Sequence, residues 1–173
     1  MAMVPDEIFD VCDPDDNVIG QAPRAEVHAK GLLHRAVHMW VFRSDGRLLM
    51  HFRSANKDEY PHCYTSSASG HVDSGESYHA AAVRELREEL GLKASLEFLV
   101  KLPAGPETAN EHTVLYRCET DDTPTPDPGE IERIEWRTID EVAETINATP
   151  EKFTPPFRSL FKWYRDTLIE PHF

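Results

Sequence analysis

Long apolar runs are missing from this sequence: no stretch approaches the roughly 20 consecutive apolar residues that a membrane-spanning helix requires. Cysteine is scarce as well. Its three residues, Cys12, Cys63 and Cys118, are too few and too widely spaced for a disulfide framework or a zinc knuckle. The first ten residues lack the basic segment and the apolar stretch of a secretory signal. Together these absences predict a cytoplasmic protein that works in a reducing environment.

Positive charge is also in short supply. Lysine and arginine number 18 against 31 aspartate and glutamate residues, which gives a formal net charge of −13. Such a charge repels DNA, RNA and anionic lipid over a Debye length of about 8–10 Å. A nucleic-acid polymer and a membrane are therefore not expected as partners, whereas a small anionic ligand is compatible if metal ions offset the local charge.

The chain alternates strand-like segments with isolated helical ones, which is typical of a single α/β domain, here spanning 1–173. Serine before the clearest helical segment and glycine after it mark the two ends of that helix. The expected elements are N-terminal strands within 1–30, a hairpin of 35–43 with 47–52 around Asp45-Gly46, a polar loop over 54–69, a helix over Ser77–Leu90, and a C-terminal helix within 150–173.

The predicted helix Ser77–Leu90 carries a cluster of acidic side chains. At 100° per residue, Glu85, Glu88 and Glu89 lie within about 100° of one another, while the apolar side chains gather on another side. A solvated face of charged residues is the ordinary interpretation of such a pattern. The glycine-bracketed loop 70–76 argues otherwise, because it brings a further carboxylate just ahead of the first helical turn.

Residues 70–92 read GHVDSGESYHAAAVRELREELGL and resemble the signature box of the Nudix hydrolases. All nine specified positions of that box are filled, a far stronger signal than a lone pair of glycines. The matching residues are Gly70, Glu76, Arg84, Glu85, Leu86, Glu88, Glu89, Gly91 and Leu92. The resemblance implies a Nudix-type α/β/α sandwich, in which a mixed sheet lies between helices.

The same resemblance implies a divalent-metal-dependent pyrophosphohydrolase, in which metal-activated water cleaves a nucleoside diphosphate linked to a second group. The implied metal ligands are Glu85, Glu88, Glu89 and the Gly70 carbonyl, with Mg²⁺ as the cofactor and Mn²⁺ as the alternative. One of the three glutamates would act as the base, Arg84 would hold a carboxylate through paired hydrogen bonds, and Glu76 would support the loop. The expected partner is a small-molecule diphosphate, and the protein is expected to be a monomer or a homodimer. The identity of the base, the number of metal ions and the organic part of the substrate stay open.

Outside the box, the pattern resembles the Nudix branch that includes type 1 isopentenyl diphosphate isomerase, down to FTPPF at 153–157. By that resemblance the further metal ligands are His34, His71 and Glu111, with His28 matching at one residue less spacing. Arg53 and Lys57 match a diphosphate-binding pair, and two cations four residues apart suit a phosphate on physical grounds too.

Two positions depart from the isomerase pattern. Ser69 stands where the isomerase has its essential cysteine, and Ala109 stands where it has a second required acid. Protonation of an alkene needs a well-placed acid of suitable pKa, for which a serine hydroxyl is a poor substitute. These departures favour a hydrolase. Isomerisation of isopentenyl diphosphate and a non-catalytic nucleotide-binding module are the alternatives.

Overall fold

A seven-stranded mixed sheet and a separate two-stranded hairpin organise the protein in the computed structural model, which describes residues 6–169. The strands are β1 (Ile8–Cys12), β2 (Val18–Pro23), β3 (His34–Phe42), β4 (Leu48–Arg53), β5 (Tyr64–Thr65), β6 (Ala68–His71), β7 (Glu97–Leu102), β8 (Glu111–Glu119) and β9 (Ile131–Arg137). Strands β1 and β2 form the hairpin, and the other seven form the sheet. Strands β3 and β8 run parallel, with His34 opposite Glu111, whereas the other neighbours in the sheet run antiparallel.

Helices cover both faces of this sheet. They are α1 (Arg24–Lys30), α2 (Tyr78–Leu90), α3 (Ile139–Ala148) and α4 (Pro155–Tyr164), followed by a π-helical turn (Arg165–Ile169); short 3₁₀ turns lie at Pro106–Thr108 and Pro150–Lys152. Helix α2 packs on one face, and α3 with α4 packs on the other. The predicted α/β/α sandwich with a mixed sheet is therefore confirmed. No helix within residues 6–169 combines the length and the apolar character needed to cross a bilayer.

Strand β3 is the centre of both halves of the core because its side chains alternate between the two faces. Val37, Met39 and Val41 are buried against α2, where they meet Leu86 and Leu90. Its other face carries Trp40 and Phe42 into the aromatic cluster around α4, which also contains Phe153, Phe157 and Phe161. The same face of β3 also carries, earlier in the strand, three residues that lie outside the aromatic cluster: His34, Ala36 and His38.

Helix α2 begins and ends as its sequence predicts. The Ser77 hydroxyl accepts a hydrogen bond from the Ala80 N–H at 3.1 Å and caps the helix, so the first helical residue is Tyr78. Gly91 adopts a left-handed conformation with φ of 63° and donates its N–H to the Arg87 carbonyl. These two ends fix the rotation and the length of the helix that carries the acidic cluster.

Two predictions about the ends of the chain were wrong in part. Within 1–30 the strands occur, but Arg24–Lys30 form helix α1, begun by Pro23 and ended by Gly31 in the left-handed conformation. Within 150–173 the C-terminal helix begins only at Pro155, since Pro155 and Pro156 occupy its first turn, and it passes into the π-helical turn at Arg165. The parts of these predictions that concern residues 1–5 and 170–173 lie outside the described residues.

The predicted loop over 54–69 contains the short strand β5 and the first two residues of β6. Its serine-rich sequence lacks apolar alternation, and only the ladder with β3, from Ala36 opposite His71 to Met39 opposite Ala68, makes β6 a strand. The predicted hairpin of β3 and β4 is paired only between Phe42 and Leu48. Beyond that pair, β3 forms hydrogen bonds with β6 and β4 forms them with β9. The insertion of β6 beside β3 places Gly70 opposite Val37 and His71 opposite Ala36, where both are half-buried.

Candidate active site

A cleft of about 210 Å³ opens where β6, the start of β8 and the acidic face of α2 meet. Carboxylates, histidines and cations converge on it from segments that are far apart in the sequence. The lining residues include His38 of β3, Arg53 and Lys57 around the end of β4, Ser69, Gly70 and His71 of β6, Arg84, Glu85, Glu88 and Glu89 of α2, and Ala109 and Glu111 at β8. The structure therefore brings together nearly all of the site residues that the sequence singles out.

Arg84 organises the entrance to α2. Its Nε and Nη2 donate to the two carboxylate oxygens of Glu76 at 2.9 and 2.8 Å, the paired geometry in which arginine binds carboxylate most strongly. Its Nη1 donates to Glu85 at 2.7 Å, and its Nη2 also reaches the His71 carbonyl at 3.2 Å. Hydrogen bonding from Arg84 lowers the pKa of Glu76 despite partial burial. Arg84 thus ties the box loop, β6 and the first box carboxylate into one unit.

Glu85 packs directly over Gly70. A Cβ atom at position 70 would lie 2.2 Å from Glu85 Cδ and 2.4 Å from its Oε1, so only glycine permits this contact. Burial raises the pKa of Glu85 to about 7, and the opposing charge of Arg84 offsets only part of that effect. The first box carboxylate is therefore held in place but poorly neutralised.

Glu89 is the most buried of the three box glutamates, with 5% of its surface exposed. The Ser69 N–H donates to its Oε2 at 3.3 Å, and His51 Nδ1 lies 3.7 Å away. Burial, followed by the nearby charge of Glu85, raises the pKa of Glu89 well above its usual value. His51 supplies no compensating charge, because burial lowers its own pKa to about 4.

Glu88 differs from its neighbours. Its side chain is 59% exposed and its Oε2 lies 3.4 Å from Arg84 Nη1, so it forms the rim of the acidic cluster. The other two carboxylates are Glu85, which is half-buried and contacts Arg84, and Glu89, which is buried and forms no ion pair with a lysine or arginine among residues 6–169. Such a pair is the donor set that a hard divalent cation prefers, and a bound cation would remove the repulsion between its members.

The raised pKa of Glu85 has a measurable effect on stability. At pH 4.5 to 7 the folded protein holds a proton on Glu85 that the unfolded chain releases, so the free energy of unfolding falls as pH rises through this window. A shift from 4.5 to about 7 corresponds to about 3 kcal/mol. We expect Glu85→Gln to lack this loss, so that in metal-free buffer the variant gains about that much over the wild type between pH 4.5 and 8. Urea unfolding at several pH values measures the difference, and parallel curves would contradict it.

A second cluster lies beside the first, on the other side of β6. One side-chain nitrogen from each of His28, His34 and His71 lies within 4.8 Å of the other two. Glu111 Oε1 lies 3.1 Å from His71 Nε2 and 3.6 Å from His34 Nε2. Burial would raise the pKa of Glu111, but the neighbouring His34 ring and the hydrogen bond with His71 hold it far below its usual value. The Nε2 atoms of His28 and His34 are buried without a hydrogen-bond partner among the described residues, as expected of nitrogens able to bind a metal.

The two predicted cationic residues lie on the cleft wall, each with a partner. Arg53 donates from Nε and Nη2 to the Glu59 carbonyl at 3.2 and 2.8 Å, which fixes the plane of its guanidinium group. Lys57 forms an ion pair with Glu130. The hydrogen-bond partner of Arg53 is thus a neutral carbonyl, whereas the partner of Lys57 is a carboxylate.

The N-terminal segment contributes to the site in a way that the sequence did not reveal. Asp10 of β1 accepts hydrogen bonds from the Ser74 hydroxyl at 2.9 Å and the Gly75 N–H at 3.2 Å, and so fastens the box loop. Arg24, at the start of α1, also lines the cleft. No spacing links these residues to the box, so only the fold could identify them.

The comparisons with known proteins agree with this site. Residues 32–163 match the family model described as NUDIX domain. The chain is 36% identical over 162 residues to an isopentenyl-diphosphate Delta-isomerase of Serratia proteamaculans, covering 91% of this chain and 90% of that protein. It is 33% identical over 150 residues to a prenyl-diphosphate phosphatase of Methanosarcina mazei, covering 84% and 88% respectively. A crystal structure from Deinococcus radiodurans superposes with a TM-score of 0.79 and 28% identity, covering 90% of this chain and 98% of that chain.

These findings confirm the resemblance that the box predicts. The family model spans well over half of the chain and includes the whole box together with the strands that face it. The similarity to the two curated proteins extends beyond the box over most of each sequence. The chain therefore belongs to the Nudix family of hydrolases.

Proposed function

We propose that this protein is a divalent-metal-dependent pyrophosphohydrolase that cleaves the phosphoanhydride of an organic diphosphate. The observation that carries the proposal is the pair Glu85 and Glu89, whose pKa values are both raised by burial even though Arg84 contacts Glu85. Burying two such carboxylates is costly unless a cation accompanies them. Arg84, paired with Glu76, also contacts Glu85 and the His71 carbonyl, and so holds the first of these carboxylates beside β6.

The proposed metal ligands are Glu85 and Glu89, with Glu88 at the rim and the Gly70 carbonyl beneath them. Mg²⁺ suits this set because it prefers oxygen ligands and retains several waters, and Mn²⁺ is the natural alternative. When bound, the cation neutralises phosphate oxygens and acidifies the attacking water. We propose a second metal site at the cluster of His28, His34, His71 and Glu111, because its nitrogen and oxygen donors suit a divalent cation.

The protein's own residues then position the reaction. Arg53 presents a guanidinium to the diphosphate, and a box carboxylate receives the proton that the attacking water releases. The water oxygen bonds to phosphorus, the bond from that phosphorus to the bridging oxygen breaks, and two phosphorylated products leave. Water is the only co-reactant that this hydrolysis requires.

Two substrate classes fit this chemistry. Nucleoside diphosphates linked to a second group are the class that the box implies. The relative named as a prenyl-diphosphate phosphatase supports an isoprenyl diphosphate instead. Both classes share the phosphoanhydride that the acidic cluster would address.

Isomerisation of isopentenyl diphosphate is the second candidate function, and the histidine cluster with the isomerase relative favours it. Two residues of the cleft oppose it. Ser69 stands at the position of the isomerase cysteine, and Ala109 presents a methyl group where a second acid is required. An intact set of box carboxylates also opposes a purely non-catalytic binding module.

A panel of diphosphates should distinguish these functions. We expect Mg²⁺-dependent release of phosphate or monophosphates from at least one nucleoside-diphosphate derivative or isoprenyl diphosphate, followed by ³¹P NMR. Isopentenyl diphosphate should give isopentenyl phosphate and phosphate if it is a substrate, and no dimethylallyl diphosphate. Turnover of no compound in the panel, or turnover that survives removal of all divalent cations by a chelator, would reject the proposed hydrolase. Formation of the dimethylallyl isomer would establish the isomerase instead.

A further inference from the structure

A buried hydrogen-bond chain leads from the aromatic core to the floor of the cleft. The Trp40 Nε1–H donates to the Ser66 hydroxyl oxygen at 2.9 Å, and His38 Nδ1 lies 2.7 Å from the same oxygen. Trp40 and Ser66 are fully buried, and His38 is 4% exposed. Ser66 accepts from tryptophan, and among residues 6–169 its single hydroxyl proton has only His38 Nδ1 as an acceptor. A proton on His38 Nδ1 would leave that hydroxyl proton buried and unpaired.

This chain fixes the chemical form of the histidine. With Nδ1 accepting a hydrogen bond, the neutral ring carries its proton on Nε2. Burial lowers the pKa of His38 to about 4, so the ring stays neutral around pH 7. Nε2 has no hydrogen-bond partner among residues 6–169, and the ring lines the cleft. The His38 Nε2–H is therefore a hydrogen-bond donor at the cleft without an acceptor among the described residues.

The surroundings of His38 indicate what that donor would bind. In the β3–β6 ladder His38 lies opposite Ser69, whose N–H donates to Glu89 of the acidic cluster. Arg53 lines the same cleft and contributes positive charge. A neutral N–H donor and a guanidinium facing one cavity are suited to the oxygens of an anion.

We propose that His38 is a substrate-binding residue whose Nε2–H donates a hydrogen bond to a non-bridging oxygen of a bound diphosphate. Ser66 and Trp40 are positioning residues that select the tautomer. The choice of ligand rests on the proposed function, but the tautomer and the orientation of the ring follow from the hydrogen-bond chain alone. The contact between His38 and Ser66 could not be predicted from the sequence, because residues 54–69 were interpreted as a loop. Ser66 lies between β5 and β6, and the pairing of these strands brings it to β3.

Two variants of His38 separate binding from folding. His38→Asn keeps a polar group where Nδ1 meets Ser66 but leaves the Nε2 position empty, whereas His38→Gln places an amide N–H near the Nε2 position. The probe is methylenediphosphonate with Mg²⁺, a diphosphate that cannot be hydrolysed. We expect His38→Asn to raise the Kd by about 10- to 100-fold, as for loss of a hydrogen bond to a charged group, and His38→Gln to stay within about threefold of the wild type. Equal affinity of His38→Asn and the wild type, or no binding of the probe by the wild type, would overturn the proposal.

Nitrogen-15 NMR of the imidazole ring reads the tautomer directly. The wild type should show His38 protonated at Nε2, with a shift of that N–H on addition of the probe, and Ser66→Ala should populate the other tautomer. A ring protonated at Nδ1 in the wild type would overturn the assignment. If the probe binds through His38 but no diphosphate in the panel is hydrolysed, the proposed hydrolase fails and this inference stands. If turnover occurs and His38→Asn leaves KM unchanged, the reverse holds.

Discussion

Glu89→Gln should lower kcat by about a thousandfold while leaving the protein at least as stable as the wild type near pH 8. The side chain is buried beside Glu85, and within residues 6–169 it accepts a hydrogen bond only from the Ser69 N–H, so its charge is costly to the fold and useful only to a cation or a proton. Glutamine has the same shape, so packing against β6 is retained. Loss of a carboxylate that holds a metal or takes up a proton typically reduces the rate by two to four orders of magnitude. Steady-state kinetics and thermal unfolding of the same preparation measure both quantities.

Glu88→Gln is the matched control for that variant. It removes a carboxylate from the same helix and the same cluster, but from an exposed position at the rim, next to Arg84. We expect a loss in kcat of about tenfold or less, since solvent-screened charge contributes little. Equal losses for Glu88→Gln and Glu89→Gln would contradict the role given to burial. Full activity of Glu89→Gln would remove the basis of the proposed reaction.

The acidic cluster could be predicted from the sequence because all of its members lie within one helix and the loop before it. Ser77 and Gly91 fix the ends of α2, and the period of 3.6 residues then places Glu85 and Glu89 on one side. Spacing alone could not show that Glu89 is buried and Glu88 exposed. That difference arises from β6, whose Ser69 covers Glu89, and β6 carries no sequence pattern of a strand.

The histidine cluster shows a different limit. His28, His34 and Glu111 come from α1, β3 and β8, and their proximity depends on the parallel pairing that sets His34 opposite Glu111. Local propensity says nothing about such long-range pairing, so only the resemblance to a known branch connected these residues. His38 was within reach of the sequence, because alternation along β3 places it on the same side as His34. Its partner Ser66 was not, since it lies in the segment interpreted as a loop.

Gly70→Ala should lower kcat by about a hundredfold, because the added methyl group would occupy the space of the Glu85 carboxylate. An ideal Cβ lies 2.2 Å from Glu85 Cδ, more than 1 Å inside ordinary contact, and the end of a flexible side chain yields before the backbone of β6 does. A displacement of about 1 Å at a reacting centre costs about a hundredfold in rate. We expect the free energy of unfolding to fall by only about 1–2 kcal/mol. Gly20→Ala, where a Cβ meets nothing within 4 Å, should leave both activity and stability close to the wild type.

A double-mutant cycle decides whether Gly70 acts through Glu85. If the methyl group damages the site only by displacing that carboxylate, Gly70→Ala combined with Glu85→Gln should be no slower than Glu85→Gln alone, and the two effects should be strongly non-additive. Effects that multiply would instead mean that Gly70 serves the site through its backbone carbonyl or through the geometry of β6. Wild-type activity in Gly70→Ala would show that the position of the Glu85 carboxylate is not needed for the reaction. The pairing of β6 with β3 places Gly70 against Glu85. The position of this carboxylate in the site therefore depends on the formation of that strand pair.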